Sequence, residues 1–343
     1  MNALFLSRGA GAVAWYRCAL PAMALGADWA ATVAPPQQAG PVAGTLDTGT
    51  DLLALRDHDV IVVQEPQGEL WQEAISTWQA AGITVLYEID DWIHGVAGVP
   101  GHARAHLYNP GALRAYETCM RAADGMICST DWLARTYAEL NPRTYVCRNG
   151  IDPLRFALTR PAREHVTIGW AGGTGHDGAV GPWLSAVADV MRAHPETRFL
   201  TVGERFADQL VGEFGKERAR SVPFTDLEVY PAAMTHFDVA IAPAGPGGYF
   251  LGKSDLRWLE ASVLGIPTIA DPAVYPDVRD GVTGLRASTP DQARAALERL
   301  VADPELRRAL GEHARAHVLE HRSIEVAAQA WADVLRRVAP VPA

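Results

Sequence analysis

The chain has 343 residues, 48% of them hydrophobic, and a formal net charge of -10. That length buries a substantial core and suits two domains better than one, while the acidic balance argues against electrostatically driven, non-specific binding to nucleic acid and leaves room for a local basic cleft. No uninterrupted apolar run approaches the roughly 20 residues of a membrane-spanning helix, so no transmembrane segment is expected.

The opening stretch MNALFLSRGAGAVAWYR lacks the charged start and apolar core of an export signal. It reads as a first strand entering a Gly-rich turn, and the expected compartment is the cytoplasm. Gly9 and Gly11 let the backbone approach a ligand ahead of the first helix; they serve a plain strand-to-helix turn equally well, because their spacing is not a dinucleotide fingerprint. Apolar runs follow at 59–64 (DVIVVQ), 83–90 (ITVLYEID), 125–130 (GMICST) and 144–149 (TYVCRN), separated by helix-like stretches. Buried strands alternating with helices predict a parallel sheet covered on both faces. Where the 83–90 run ends, YEIDDWIHG gathers Glu88, Asp90 and Asp91, which suit hydroxyl or metal binding, or the capping of the next segment. His94, just behind, is a candidate catalytic residue and reads equally as a solvated loop histidine.

A second series of strands begins with HVTIGWAG at 165–172 and continues with TRFLTVG at 197–203, FDVAIAP at 237–243 and IPTIAD at 266–271. Two series predict two doubly wound domains, with a hinge in the Pro- and charge-rich stretch 149–165. The expected division is 1–155, 156–322 and a final helical segment, 323–343. Cys18, Cys119, Cys128 and Cys147 are widely spaced without a CxxC pair, which signals core thiols in place of a zinc site or a disulfide framework.

In open α/β sheets ligands sit beyond the carboxyl ends of the strands. After the 165–172 strand comes a glycine-dense loop, GWAGGTGHDGAVGPW, in which Gly172, Gly173, Thr174 and His176 can turn backbone amides toward an anion at the mouth of the next helix. Asp177 reads as that helix's cap. Further on, GKSDLRWLEASVLGIPTIAD places Ser254 as an N-cap, an apolar face at Leu256, Leu259, Val263 and Leu264, and a Gly265–Pro267 stop. Capping and packing leave Lys253 and Glu260 over. A helix rises about 1.5 Å per residue, so Ser254 and Glu260 lie on the order of 9 Å apart, the span from a diphosphate to a ribose. Lysine and helix amides then suit the phosphates, and the carboxylate suits the ribose hydroxyls.

At these residues the chain resembles glycosyltransferase family 4 and its relatives, retaining enzymes of the GT-B fold. AVAWYRCALPAMAL, YEIDDW, AADGMICSTDWLA and NGID are similar to the family's first domain and interdomain turn. IGWAGGTGHD, YPAAMTHFDVAIAP and KSDLRWLEASVLGIPTIADPAVYPDVRDGVTGL resemble its donor-binding half. The resemblance implies two Rossmann-like domains facing a central cleft, with the C-terminal helix crossing back to the first. It implies transfer of a sugar from a nucleoside-diphosphate sugar, such as a UDP- or GDP-sugar, with no further cofactor and no metal. The family's donor helix usually carries two glutamates separated by seven residues; Glu260 matches the second and implies the ribose contact, while the first falls on Gly252. Asp255 is the candidate substitute. The usual cations of the glycine loop are absent, so Lys253 is the first candidate to meet the diphosphate, with Arg257 and Arg205 behind it.

The acceptor is not named by the sequence; saccharide or lipid carrier leads over protein or a modified DNA base. It is expected to meet Trp15, Tyr16, Arg17, Asp90, Asp91 and Trp92, with Trp71 as a further stacking candidate, although aromatic side chains there fit a core equally well. Three other readings stay open: a non-catalytic nucleotide-sugar-binding protein, favoured by Gly252; a nucleotide-sugar epimerase of similar fold; and a periplasmic-type binding protein, disfavoured by the N-terminus.

Overall fold

The protein is described by a computed structural model over residues 1–34, 57–99 and 102–339. Two compact units result. Unit 1 comprises Met1–His94, His106–Gly150 and the segment from Ile324, and unit 2 comprises Gly95–Ala105 and Ile151–Ser323. Gly95–Ala105, within the stretch assigned above to the first domain, thus packs with unit 2.

Unit 1 is built on a parallel sheet of β1 (Asn2–Leu6), β2 (Ala30–Ala34), β3 (Val60–Gln64), β4 (Thr84–Ile89), β5 (Gly125–Cys128) and β6 (Thr144–Val146), in the order β2-β1-β3-β4-β5-β6. β3, VIVVQ, is buried at every position, as a parallel strand covered on both faces must be. The helix Ile324–Val338 belongs to this unit. Its buried Ile324, Ala328, Trp331, Ala332 and Leu335 recur at helical spacing on one face, and Trp331 lies 5.7 Å from the Phe5 ring in a core shared with Cys18, Val62 and Ile127.

In unit 2 the sheet contains β7 (Thr167–Gly172), β8 (Arg198–Gly203), β9 (Ala219–Val222), β10 (Val239–Ala242), β11 (Thr268–Ala270) and β12 (Leu285–Arg286), again all parallel, in the order β12-β11-β10-β7-β8-β9. Ile168, Trp170, Val187, Phe199, Ile241 and Leu297 fill its core. In each sheet the strand order reverses beside the first strand, between β1 and β3 and between β7 and β10. The crevices at those two carboxyl ends are where this architecture binds ligands.

All four cysteines are buried free thiols. Burial pushes Cys119 and Cys147 up to about 12, so neither is a nucleophile near neutral pH. Among the described residues no helix is long and apolar enough to cross a membrane.

Candidate active site

Beyond the carboxyl end of β7, the strand runs into Gly172, Gly173, Thr174, Gly175 and His176 ahead of the helix Asp177–Ala193. Gly175 has φ +89, and a side chain there would meet the His102 ring at 2.3 Å. His176, rather than Asp177, is the N-cap residue, and its side chain makes no cap bond. It points inward instead: the ring is 5.7 Å from Trp170, and Nε2 is 3.1 Å from Nη2 of Arg257. A guanidinium only donates, so Nε2 accepts and the ring proton resides on Nδ1. Burial first, then the charges of Arg257 and Lys253, hold this imidazole well below its usual range, and it stays neutral.

Arg257 comes from the helix Leu256–Val263. Its Nε donates to the Ala171 carbonyl (2.8 Å), its Nη1 to the Tyr275 hydroxyl (2.9 Å), and its plane lies 5.1 Å from the Trp170 ring. A Cβ on Gly172 would stand 2.7 Å from Nη2, so glycine is what lets the guanidinium lie against the end of β7. One turn further along the helix, the buried Glu260 accepts a 2.9 Å bond from the Tyr230 hydroxyl. Burial and the Glu260 charge raise that hydroxyl far above the ordinary tyrosine range, which keeps it a donor. Lys253 Nζ lies 4.3 Å over the Tyr249 ring, and the Tyr249 hydroxyl is 3.2 Å from His102 Nε2. One crevice thus holds two cations, a neutral imidazole, a loop of amides and a buried carboxylate. This arrangement accommodates an anion next to a hydroxyl-bearing group.

Three expectations need correction. Ser254 is not the N-cap: Asp255 holds that position without capping, because Arg322 binds both its oxygens at 2.6 and 2.8 Å. Asp255 is therefore part of a buried ion pair and is not offered to a sugar as the substitute for the glutamate missing at Gly252. Arg205 pairs with Asp208 at 2.5 Å on the exposed side of β8 and makes none of the contacts that join Arg257 to His176.

In unit 1, Arg17 and Tyr16 are interior, at 0% and 2% exposure, and do not present themselves to an acceptor. Arg17 donates to Glu88 (2.6 Å), the Cys147 carbonyl (2.6 Å) and Asn149 (2.9 Å), pinning the first helical turns to β4 and to the end of β6. His94 is 3.0 Å from Glu117. The Asp90 and Asp91 carbonyls accept from Ser129 and Tyr137, and Trp92 packs edge-on to Trp132. Trp71 packs on Trp78. Among the described residues, Gly9 and Gly11 meet no atom that a Cβ would touch. Trp15, Asp90, Asp91 and Trp92 remain at the partly open carboxyl side of the sheet.

Sequence reasoning missed Glu65. It follows β3 directly at the unit 1 reversal point, and it is the one non-glycine among the described residues with a positive φ, +46. Its carboxylate pairs with Arg8, which follows β1, and Arg8 also lies over the Tyr116 ring, itself stacked on Tyr108. Burial, and behind it the charges of Asp91 and Glu88, push the Glu65 carboxyl up against the pull of Arg8. A left-handed backbone at a buried acid is the kind of strain that gathers at ligand sites. The signal was present: a carboxylate immediately after an apolar strand, in VIVVQE.

Residues 183–333 match the family model described as glycosyl transferase-like. The chain has the GT-B fold, and within it this segment is similar to glycosyl transferases. Among solved structures, the chain superposes on sucrose-phosphate synthase of Thermosynechococcus elongatus, with a TM-score of 0.69, 17% identity and 98% of each chain covered. HepE of Anabaena, solved with UDP and glucose, gives a TM-score of 0.67 at 16% identity over 98% of this chain and 99% of its own. A glycosyltransferase of Rickettsia africae gives 0.66 at 11% identity, with 98% of each chain covered. No curated protein sequence is significantly similar. The matched segment contains Tyr230, Arg257, Glu260 and Arg322, while β7 and its glycine loop precede it.

Proposed function

We propose that the protein transfers a sugar from a UDP-sugar to a hydroxyl-bearing acceptor, with retention at the anomeric carbon. The observation that carries this reading is the pairing, on one short helix at the unit 2 reversal point, of a cation anchored to the end of β7 with a buried carboxylate one turn away, Arg257 and Glu260. Arg257, Lys253 and the amides of Gly172–Gly173 meet the diphosphate, and Glu260, oriented by Tyr230, accepts from the ribose hydroxyls. HepE, with UDP and glucose bound on the same fold, supports the choice of nucleotide.

In this reading unit 2 serves the donor and unit 1 the acceptor. Stabilising the departing diphosphate is the main catalytic demand, because negative charge builds on its bridging oxygen as the glycosidic bond breaks. Two fixed cations and helix amides supply that without reorganisation. Neutral His176 keeps Arg257 aimed while adding no competing charge. The cations take the role a divalent ion has elsewhere, so we assign the diphosphate to protein groups alone.

A second reading is favoured by one feature. Gly252 offers no carboxylate to the transferred sugar and Asp255 is committed to Arg322, which suits a nucleotide-sugar-binding protein without transfer. Incubation with UDP-sugars and GDP-sugars decides between the two. Release of UDP with formation of an α-linked product from an α-linked donor supports retaining transfer, whereas tight binding with neither hydrolysis nor transfer establishes the binding protein.

A further inference from the structure

A groove of about 950 Å³ runs beside β8 and β9, the open edge of the unit 2 sheet. Its wall carries Arg163, Arg198, Arg205, Lys216, Arg218 and Arg220 against only Asp208 and Glu217. That excess of positive charge stands out in a chain of net charge -10. Asp208 already holds Arg205, and Asp238, at the base of β10, is shared by Arg160 (3.0 Å) and Arg163 (3.8 Å). Arg198 and Arg220 are exposed and make no ion pair among the described residues.

The wall is also built, not merely decorated. Arg218 is locked by the Thr197, Met191 and His194 carbonyls and lies over the Phe214 ring. Arg163 is held by the Thr235 and His236 carbonyls, 12% exposed. Two buried polar atoms on residues lining the groove, Arg163 Nε and the Thr225 hydroxyl, have no hydrogen-bond partner among the described residues. The field is visible on the histidines: burial, then Arg198 and Arg163, holds His165 below its usual range, and burial, then Arg163 and Arg220, does the same to His236.

We propose that this groove is a second binding site, separate from the nucleotide crevice, for a soluble ligand carrying two or more phosphate groups. Guanidinium forks match phosphate oxygens bidentately, and several together select multiple phosphates over a single carboxylate. A concave space of this size fits a small molecule. The site shares none of Gly172, His176, Lys253, Arg257 or Glu260, so it stands or falls independently of the transferase reading.

The test follows the imidazole signals of His165, His236 and His176 by NMR while the full chain is titrated with inorganic tripolyphosphate, with sulfate at equal ionic strength as control. Tripolyphosphate should move His165 and His236 in the unaltered protein and equally in Lys253→Ala. In an Arg198→Ser, Arg220→Ser variant the apparent affinity should fall tenfold or more, with the melting temperature and the His176 signal unchanged. Equal shifts from sulfate, shifts confined to His176, or unaltered affinity in the double variant each overturn the proposal. So does Arg198- and Arg220-dependent flotation with phosphatidylglycerol vesicles in the absence of any tripolyphosphate response, which would make the groove a membrane contact.

Discussion

Arg322 grips both carboxylate oxygens of Asp255, 67 residues away in sequence, and reaches Asp277 with the same Nη1. This ties the start of the proposed donor helix to the last residues of unit 2. Breaking a buried pair by removing one partner typically costs about 3–5 kcal/mol, because the other charge is left uncompensated. Asp277 softens that loss for Arg322. Asp255→Ala should therefore lower unfolding free energy by about 3 kcal/mol in urea while nucleotide affinity per folded molecule changes little. Lost affinity with unchanged stability would return Asp255 to the ligand.

Lys253→Ala should weaken a nucleoside diphosphate far more than a nucleoside. A charge-assisted hydrogen bond contributes about 1.5–3 kcal/mol, so calorimetry should find UDP roughly ten- to a hundredfold weaker and uridine unaffected. Equal losses for both ligands refute the phosphate assignment.

Glu260→Gln retains shape and removes acceptor strength, and the Tyr230 bond survives in weaker form. UDP should bind about tenfold more weakly, and 2′,3′-dideoxy-UDP should be insensitive to the change. A fall of many degrees in melting temperature without ligand would make Glu260 a structural residue instead.

His176 gives a pH signature. Its folded pKa is depressed, so the unfolded chain takes up a proton near pH 6.5 that the folded chain refuses. Stability is undiminished above that pH and declines as pH falls below it, by up to about 1.4 kcal/mol per pH unit from this group. His165, His236 and His317 are shifted the same way and add to the slope. Urea midpoints at pH 7.5 and 5.5 should differ less in His176→Asn than in the unaltered protein; identical differences would show that His176 titrates normally.

Transferase activity should survive EDTA, since Arg257 and Lys253 face the proposed diphosphate. Complete loss on chelation, reversed by magnesium or manganese, would shift attention to Asp90 and Asp91.

Sequence patterning located every interior strand and one edge, β6. β3 and β4 are continuous apolar runs because they are covered on both faces, and such runs are visible without any partner. β2, β9 and β12 went unseen, and all three are sheet edges: ARSV and LR are short, half-open and interrupted by arginine. Of the site, the glycine loop, Lys253, Arg257 and Glu260 were legible because they cluster around one strand end and one helix start. The Ser254 cap was a sound local inference defeated by Arg322, whose pairing with Asp255 leaves no local trace in the sequence. Arg17 was misread for a similar reason: a charged residue in a turn beside glycines looks exposed until a buried partner, Glu88, is placed next to it.

Trp331 and Leu335 fill the core of unit 1 from the far end of the chain. During synthesis, then, the first half leaves the ribosome with an open hydrophobic seat opposite Phe5, and that seat is filled only when the last helix emerges. Apart from its Gly95–Ala105 segment, already synthesised, unit 2 is continuous over Ile151–Ser323 and is complete before then. At about 5–20 residues per second the nascent first half waits on the order of ten seconds or longer. The usual vectorial order, N-terminal domain first, is reversed here, and a truncation removing only the final helix should damage the part of the protein made earliest.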